Sequence, residues 1–140
     1  MPFVLDASVT LSWLFRDETD GYADAALGAL EHDAAVVPAL WSYEVVNALA
    51  AAVRRGRLSR GELRYVVELL GSLPIAVSEA PGSPAARLEL ADLALDQQLS
   101  AYDAAYVALA RAERLPLATL DERLRRAAAA AGVAAWVPPP

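Results

Sequence analysis

Short uninterrupted apolar runs alternate along this chain with longer stretches of helical periodicity. Phe3-Val4-Leu5 does not alternate apolar with polar, so it reads as a strand buried on both faces. Residues 8–15 are helical in composition. Residues 20–31 place Ala23, Ala26, Leu27 and Leu30 on one stripe at helical spacing. Ala35-Val36-Val37, closed by Pro38, is a second strand. The clearest helix is 40–55, with Trp41, Val45, Ala48, Leu49 and Ala52 in register and Gly56 ending it. A further helix over 59–70 opens with Ser59 and Glu62 at capping-box spacing. Ile75-Ala76-Val77 is a short third strand, and 79–84, with two prolines and a glycine, reads as a loop. Helices are predicted over 85–97 and 102–113, a strand over 115–119, a helix over 122–131 closed by Gly132, and a last edge strand over 133–137 stopped by Pro138. Strand–helix alternation of this kind predicts an α/β domain with a mainly parallel sheet. No repeat or linker divides the chain, so residues 1–140 read as a single domain.

Composition narrows the chemistry. Cysteine is absent, and His32 is the single histidine, so thiol nucleophiles, disulfides, Cys-ligated metals and multi-histidine zinc sites are excluded. All 12 basic residues are arginine, which removes Schiff-base chemistry and the P-loop lysine. A net charge of −6 argues against broad polyanion binding but permits a local basic patch. The chain is 56% hydrophobic with a mean hydropathy of +0.30, which is globular rather than disordered. No signal sequence or membrane span is evident, so a soluble cytoplasmic protein is expected. The chemistry left is that of carboxylates, hydroxyls and a hard metal ion.

Position relative to the strands sorts the 18 acids. Sites in open parallel sheets form outside the C-terminal strand ends. Asp6 follows the first strand, Asp121 follows the fourth, Glu44 lies early in the helix after the second strand, and Asp103 lies in a first helical turn. Each aspartate also has a capping reading: Asp6 before the helix near Ser8, Ser100 with Asp103 as a capping box, and Thr119 with Glu122 as another. Glu44 resists that reading, because Leu40, Trp41, Val45 and Ala48 surround it on the helix. Asn47, three residues on, is a candidate hydrogen-bond partner for it. Converging carboxylates stay ionised only beside a cation, and without His or Cys that ion is Mg²⁺ or Mn²⁺. Such ions activate water and stabilise leaving oxygens in phosphodiester hydrolysis. Ser8 and Thr119 are candidates to orient carboxylates or hold water.

With these residues in place, the chain resembles the PIN-domain family, more narrowly its VapC-like toxin ribonucleases. The resemblance is carried by Val4-Leu5-Asp6-Ala7-Ser8, by Glu44-Val45-Val46-Asn47-Ala48-Leu49, by residues 99–110 around Asp103, and by residues 118–124 around Asp121. These pieces span nearly the whole chain in the family's order. The resemblance implies a three-layer α/β/α sandwich with an acidic quartet at Asp6, Glu44, Asp103 and Asp121 and hydroxyls at Ser8 and Thr119. It further implies metal-dependent endoribonuclease activity with Mg²⁺ or Mn²⁺, homodimerisation, and inhibition by a cognate antitoxin.

Arginines form two groups: Arg54, Arg55, Arg57, Arg60 and Arg64 around Gly56, and Arg123, Arg125 and Arg126 after Asp121. Arg123 and Arg126, near the acids, are candidates to contact the RNA backbone, against a plain reading as solvated or dipole-compensating residues. Trp13, Leu14 and Phe15, with Tyr65, Val66, Val67, Leu69 and Leu70, are candidates for a dimer face or an antitoxin groove, against a plain core reading. Two other readings stand beside the ribonuclease. A phosphoacceptor domain would also gather acids at parallel strand ends, but by resemblance such sites use a lysine. A non-catalytic binding and dimerisation module would use the acids only as caps.

Overall fold

The computed structural model describes residues 1–15 and 20–140. Four strands, β1 (Phe3–Leu5), β2 (Ala35–Pro38), β3 (Ile75–Ser78) and β4 (Leu117–Ala118), form one all-parallel sheet in the order β3-β2-β1-β4. The helices are α1 (Ala7–Leu14), α2 (Gly21–Ala29), α3 (Leu40–Arg54), α4 (Arg60–Gly71), α5 (Pro84–Gln97), α6 (Ala101–Glu113) and α7 (Glu122–Ala130). The architecture is a three-layer α/β/α sandwich. The chain runs outward from β1 through β2 to β3, then returns past β1 to β4. Right-handed crossovers place α1 to α4 on one face of such a sheet and α5 and α6 on the other. Accordingly, α1 packs on α2 and α3, while α6 packs on α5, β1 and β2.

β1 lies between β2 and β4, and all three of its residues are fully buried, which is why it is apolar without alternation. The core spreads from it through Leu5, Val9, Val37, Leu49, Val107, Leu117 and Leu124. Helix ends follow their local chemistry. Ser59 and Glu62 form the capping box of α4, and Ser83 caps α5 ahead of Pro84 at its first position. Gly56 and Gly132 adopt positive φ after α3 and α7, where the left-handed conformation favours glycine.

Two expected elements shrink. The fourth strand, expected over 115–119, is only Leu117–Ala118, and the last strand over 133–137 reduces to one parallel bridge between Leu117 and Ala135. The competing bond is visible: the Trp136 carbonyl accepts the Tyr22 hydroxyl at 2.8 Å, and the Trp136 ring packs on Phe3 and edge-on to Tyr22. The three closing prolines then have no N–H with which to extend a ladder. Among the described residues, no helix is long and apolar enough to cross a membrane.

Candidate active site

The strand order reverses between β1 and β4, and the crevice at that point is where open parallel sheets hold ligands. Asp6 leaves β1 there, buried, and Thr119 leaves β4 beside it, fully buried. Asp6 stands at the N-cap position of α1 yet makes no side-chain cap bond. Its Oδ2 instead accepts the Ser8 hydroxyl at 2.6 Å and the Thr119 hydroxyl at 2.8 Å. Those hydroxyls are fixed in turn. The Ser8 oxygen accepts the Leu120 N–H at 3.0 Å, and the Thr119 oxygen accepts the Asp121 N–H at 3.0 Å. The two strand ends are thereby knitted around a single carboxylate oxygen. The capping reading of Asp6 is not what the structure shows.

Capping does hold for Asp121, the N-cap of α7, whose Oδ1 accepts the Arg123 and Leu124 N–H groups. The expected box of Thr119 with Glu122 is absent, because the Thr119 hydroxyl is committed to Asp6 and Glu122 pairs with Arg125 at 2.6 Å. Ser100 caps α6 by accepting the Asp103 N–H, and neither carboxylate oxygen of Asp103 has a hydrogen-bond partner among the described residues. Glu44, half-buried on α3, accepts the Tyr106 hydroxyl on Oε1 at 2.6 Å. Asn47 does not hold Glu44, as its spacing had led us to expect: it is exposed, and Tyr106 takes that role. Sequence reasoning missed Tyr106 as a site residue. Its signal is a polar-tipped side chain three residues after Asp103, on the helix face turned to the core.

Three of these acids respond to burial and to their neighbours' charges. Burial is the largest cause raising Asp6 above the ordinary aspartate range, with Asp103 and Asp121 adding to it and the two hydroxyl bonds opposing it. Burial also raises Glu44, helped by the charges of Asp6 and Asp103. Asp103 is raised by burial and by Asp121, with Arg123 opposing. Burial, then Glu44, pushes Tyr106 upward, so its hydroxyl stays a hydrogen-bond donor.

Each acid keeps at least one oxygen without a protein hydrogen bond among the described residues: Asp6 Oδ1, Glu44 Oε2, Asp121 Oδ2 and both oxygens of Asp103. Among the described residues no buried side-chain oxygen lacks a partner, so the free oxygen of Asp6 is reached by solvent. Among the described residues, no three acidic or histidine side chains stand close enough to share one ion as direct ligands. The set therefore fits a hydrated hard cation held through one or two carboxylates, which is how Mg²⁺ binds when phosphate supplies the rest.

A family model for the PIN domain matches residues 3–130. The chain belongs to the PIN domain family. Among solved structures, PAE2754 from Pyrobaculum aerophilum is 26% identical, with a TM-score of 0.66, covering 91% of this chain and 79% of that one. FitAcB from Neisseria gonorrhoeae is 22% identical, with a TM-score of 0.63, covering 99% and 98%, and bears on the fold alone. No curated protein matches the chain. In this PIN domain Arg123 is exposed and donates to the Gln98 carbonyl at 3.0 Å, while Arg126 is exposed with no partner among the described residues. Arg125 is not available to a ligand in the same way: it donates to the Thr119 carbonyl at 2.7 Å and lies over the Tyr22 ring.

Proposed function

We propose that this PIN domain is a metal-dependent endoribonuclease, the toxin of a toxin–antitoxin pair, with Asp6, Glu44, Asp103 and Asp121 holding Mg²⁺ or Mn²⁺, one or two of them directly and the others through its water. The observation that carries the reading is the gathering of carboxylates at the reversal point of a parallel sheet, where Asp103 and Asp121 act on Asp6, Asp6 and Asp103 act on Glu44, and each acid has an oxygen left for a ligand. Such an ion, when bound, supplies activated water and neutralises charge on the leaving oxygen. The chain's own residues do the rest. Ser8 and Thr119 lock the Asp6 carboxylate, Tyr106 locks that of Glu44, and the α7 cap locks Asp121. Arg126, and less freely Arg123, supply positive charge to an RNA phosphate.

The antitoxin and homodimer parts rest on the VapC-like sequence pattern together with exposed apolar surface. Tyr65, Val67 and Leu69 on α4 are half exposed or more, and an apolar groove of about 250 Å³ runs between α3, α4 and β3. Trp13 and Leu14 pack against the core instead, and the Phe15 ring lies under the Arg57 guanidinium.

The test is calorimetric titration of Mn²⁺ into wild type and Asp103→Asn, both shown folded by circular dichroism. Binding in wild type, weakened at least about tenfold in the variant, supports the metal site and justifies screening RNA for cleavage that the variant abolishes. A folded wild type that binds no Mn²⁺, alone or with a non-cleavable oligonucleotide, overturns the reading in favour of a non-catalytic module.

A further inference from the structure

Tyr106 is among the largest fully buried side chains of the molecule, and its hydroxyl ends at a charged partner 62 residues earlier in the chain. The 2.6 Å bond to Glu44 Oε1 is the only side-chain hydrogen bond between α3 and α6 among the described residues, and the backbones of the two helices touch little elsewhere. Tyr106 lies one helical turn after Asp103. One hydroxyl on the helix that carries Asp103 thus holds the carboxylate of Glu44.

A buried ring has few rotamers, so the position of its hydroxyl is set by the core rather than by the pocket. A carboxylate on a half-buried glutamate, by contrast, has three torsions to lose. Occupying Oε1 from a fixed point selects one orientation of Glu44 and leaves Oε2 as its open oxygen. We propose that Tyr106 is a positioning residue: it aims the Glu44 carboxylate into the acid pocket and so sets the pocket's affinity for a divalent cation. This deepens the metal-site reading above and rests on it.

The experiment removes one oxygen. Tyr106→Phe keeps the buried ring and deletes the bond. Mn²⁺ affinity is measured by calorimetry for wild type, Tyr106→Phe, Glu44→Gln and the double variant, with Val107→Ala as a control for mere destabilisation of α6. Val107 is fully buried next to Tyr106 in the chain and carries no polar side-chain atom. Partners that orient ligands typically alter metal affinity by about 10- to 100-fold, so Tyr106→Phe is expected to weaken Mn²⁺ binding by about tenfold. In the Glu44→Gln background the same change is expected to shift affinity less than about twofold, because the carboxylate it acts through is gone. Val107→Ala is expected to lower the melting temperature and leave Mn²⁺ affinity unchanged. Wild-type binding with an unaltered Tyr106→Phe overturns the proposal and spares the metal site. Equal losses in both backgrounds, or an equal loss in Val107→Ala, show a structural role only and overturn it too. A wild type that binds no Mn²⁺ overturns the metal site itself, and the proposal with it, in the first titration.

Discussion

Asp6 illustrates how a site residue opposes the fold that presents it. Both hydroxyl donors fall on Oδ2, yet burial outweighs them and raises its pKa. A carboxylate whose folded pKa lies above its unfolded value binds its proton more tightly in the fold. Its stabilising contribution is complete below the ordinary aspartate value of 3.8 and is lost as pH rises through the raised value. Glu44 and Asp103 are shifted in the same direction and add to the effect. The metal-free protein, held in chelator, is therefore expected to melt at a higher temperature near pH 5 than near pH 8. Asp6→Asn can keep an acceptor for Ser8 and Thr119 while removing the buried charge. It is expected to gain on the order of 1 kcal/mol at pH 8, to flatten the pH dependence, and to lose Mn²⁺ binding. Melting curves by circular dichroism across that range check this; an unchanged slope in the variant would show that Asp6 is not the source. Ser8→Ala makes a second case at this scale. Ser8 both donates to Asp6 and accepts the Leu120 N–H, so its loss leaves a part-buried donor without a partner and is expected to cost about 1–3 kcal/mol in urea unfolding.

At the scale of elements, Asp121 joins a structural task to a chemical one, and two substitutions separate them. Its Oδ1 caps α7 while Oδ2 stays open. Asparagine caps about as well as aspartate, so Asp121→Asn is expected to keep stability within about 0.5 kcal/mol and weaken Mn²⁺ binding. Asp121→Ala is expected to lose about 1 kcal/mol in addition. Equal metal affinity in wild type and Asp121→Asn would leave Asp121 as a cap only. These elements were legible where local chemistry decides them. Non-alternating apolar runs marked the parallel strands, and Ser59 with Glu62 marked the start of α4. The positions of Asp6 and Asp121 were legible because each follows the end of a strand. What the sequence hid depends on long-range geometry. Tyr106 finds Glu44 across 62 residues, whereas Asn47, close in sequence, points to solvent. The last strand falls short of its apolar run because Tyr22 takes the Trp136 carbonyl from 114 residues away, which nothing local reveals.

For the whole molecule the question is how a chain of net charge −6, with Asp6, Glu44, Asp103 and Asp121 at one end of its sheet, can approach an anionic polymer. Without a cation the pocket repels phosphate at short range, where screening by salt is least effective. Binding of a non-cleavable RNA is therefore expected to fall at least about tenfold when divalent ions are chelated at constant ionic strength. Asp103→Asn, with one charge fewer in the pocket, is expected to bind RNA more tightly than wild type under those metal-free conditions. The arginines after Asp121 differ in what each can offer. Arg126 is exposed with no partner among the described residues, so Arg126→Ala should weaken RNA binding and reduce the slope of log affinity against log salt by about 1. Arg123 is already engaged by the Gln98 carbonyl, and its loss should matter less. Arg125 bridges the Thr119 carbonyl and Glu122, so Arg125→Ala should lower stability and leave the salt slope unchanged. Fluorescence anisotropy titrations at several salt concentrations rank the three. If Arg125→Ala alone altered the slope, RNA would have to displace the contacts that tie β4 to α7, and the acid pocket would open from a different side than the free oxygens of Asp6, Glu44, Asp103 and Asp121 indicate.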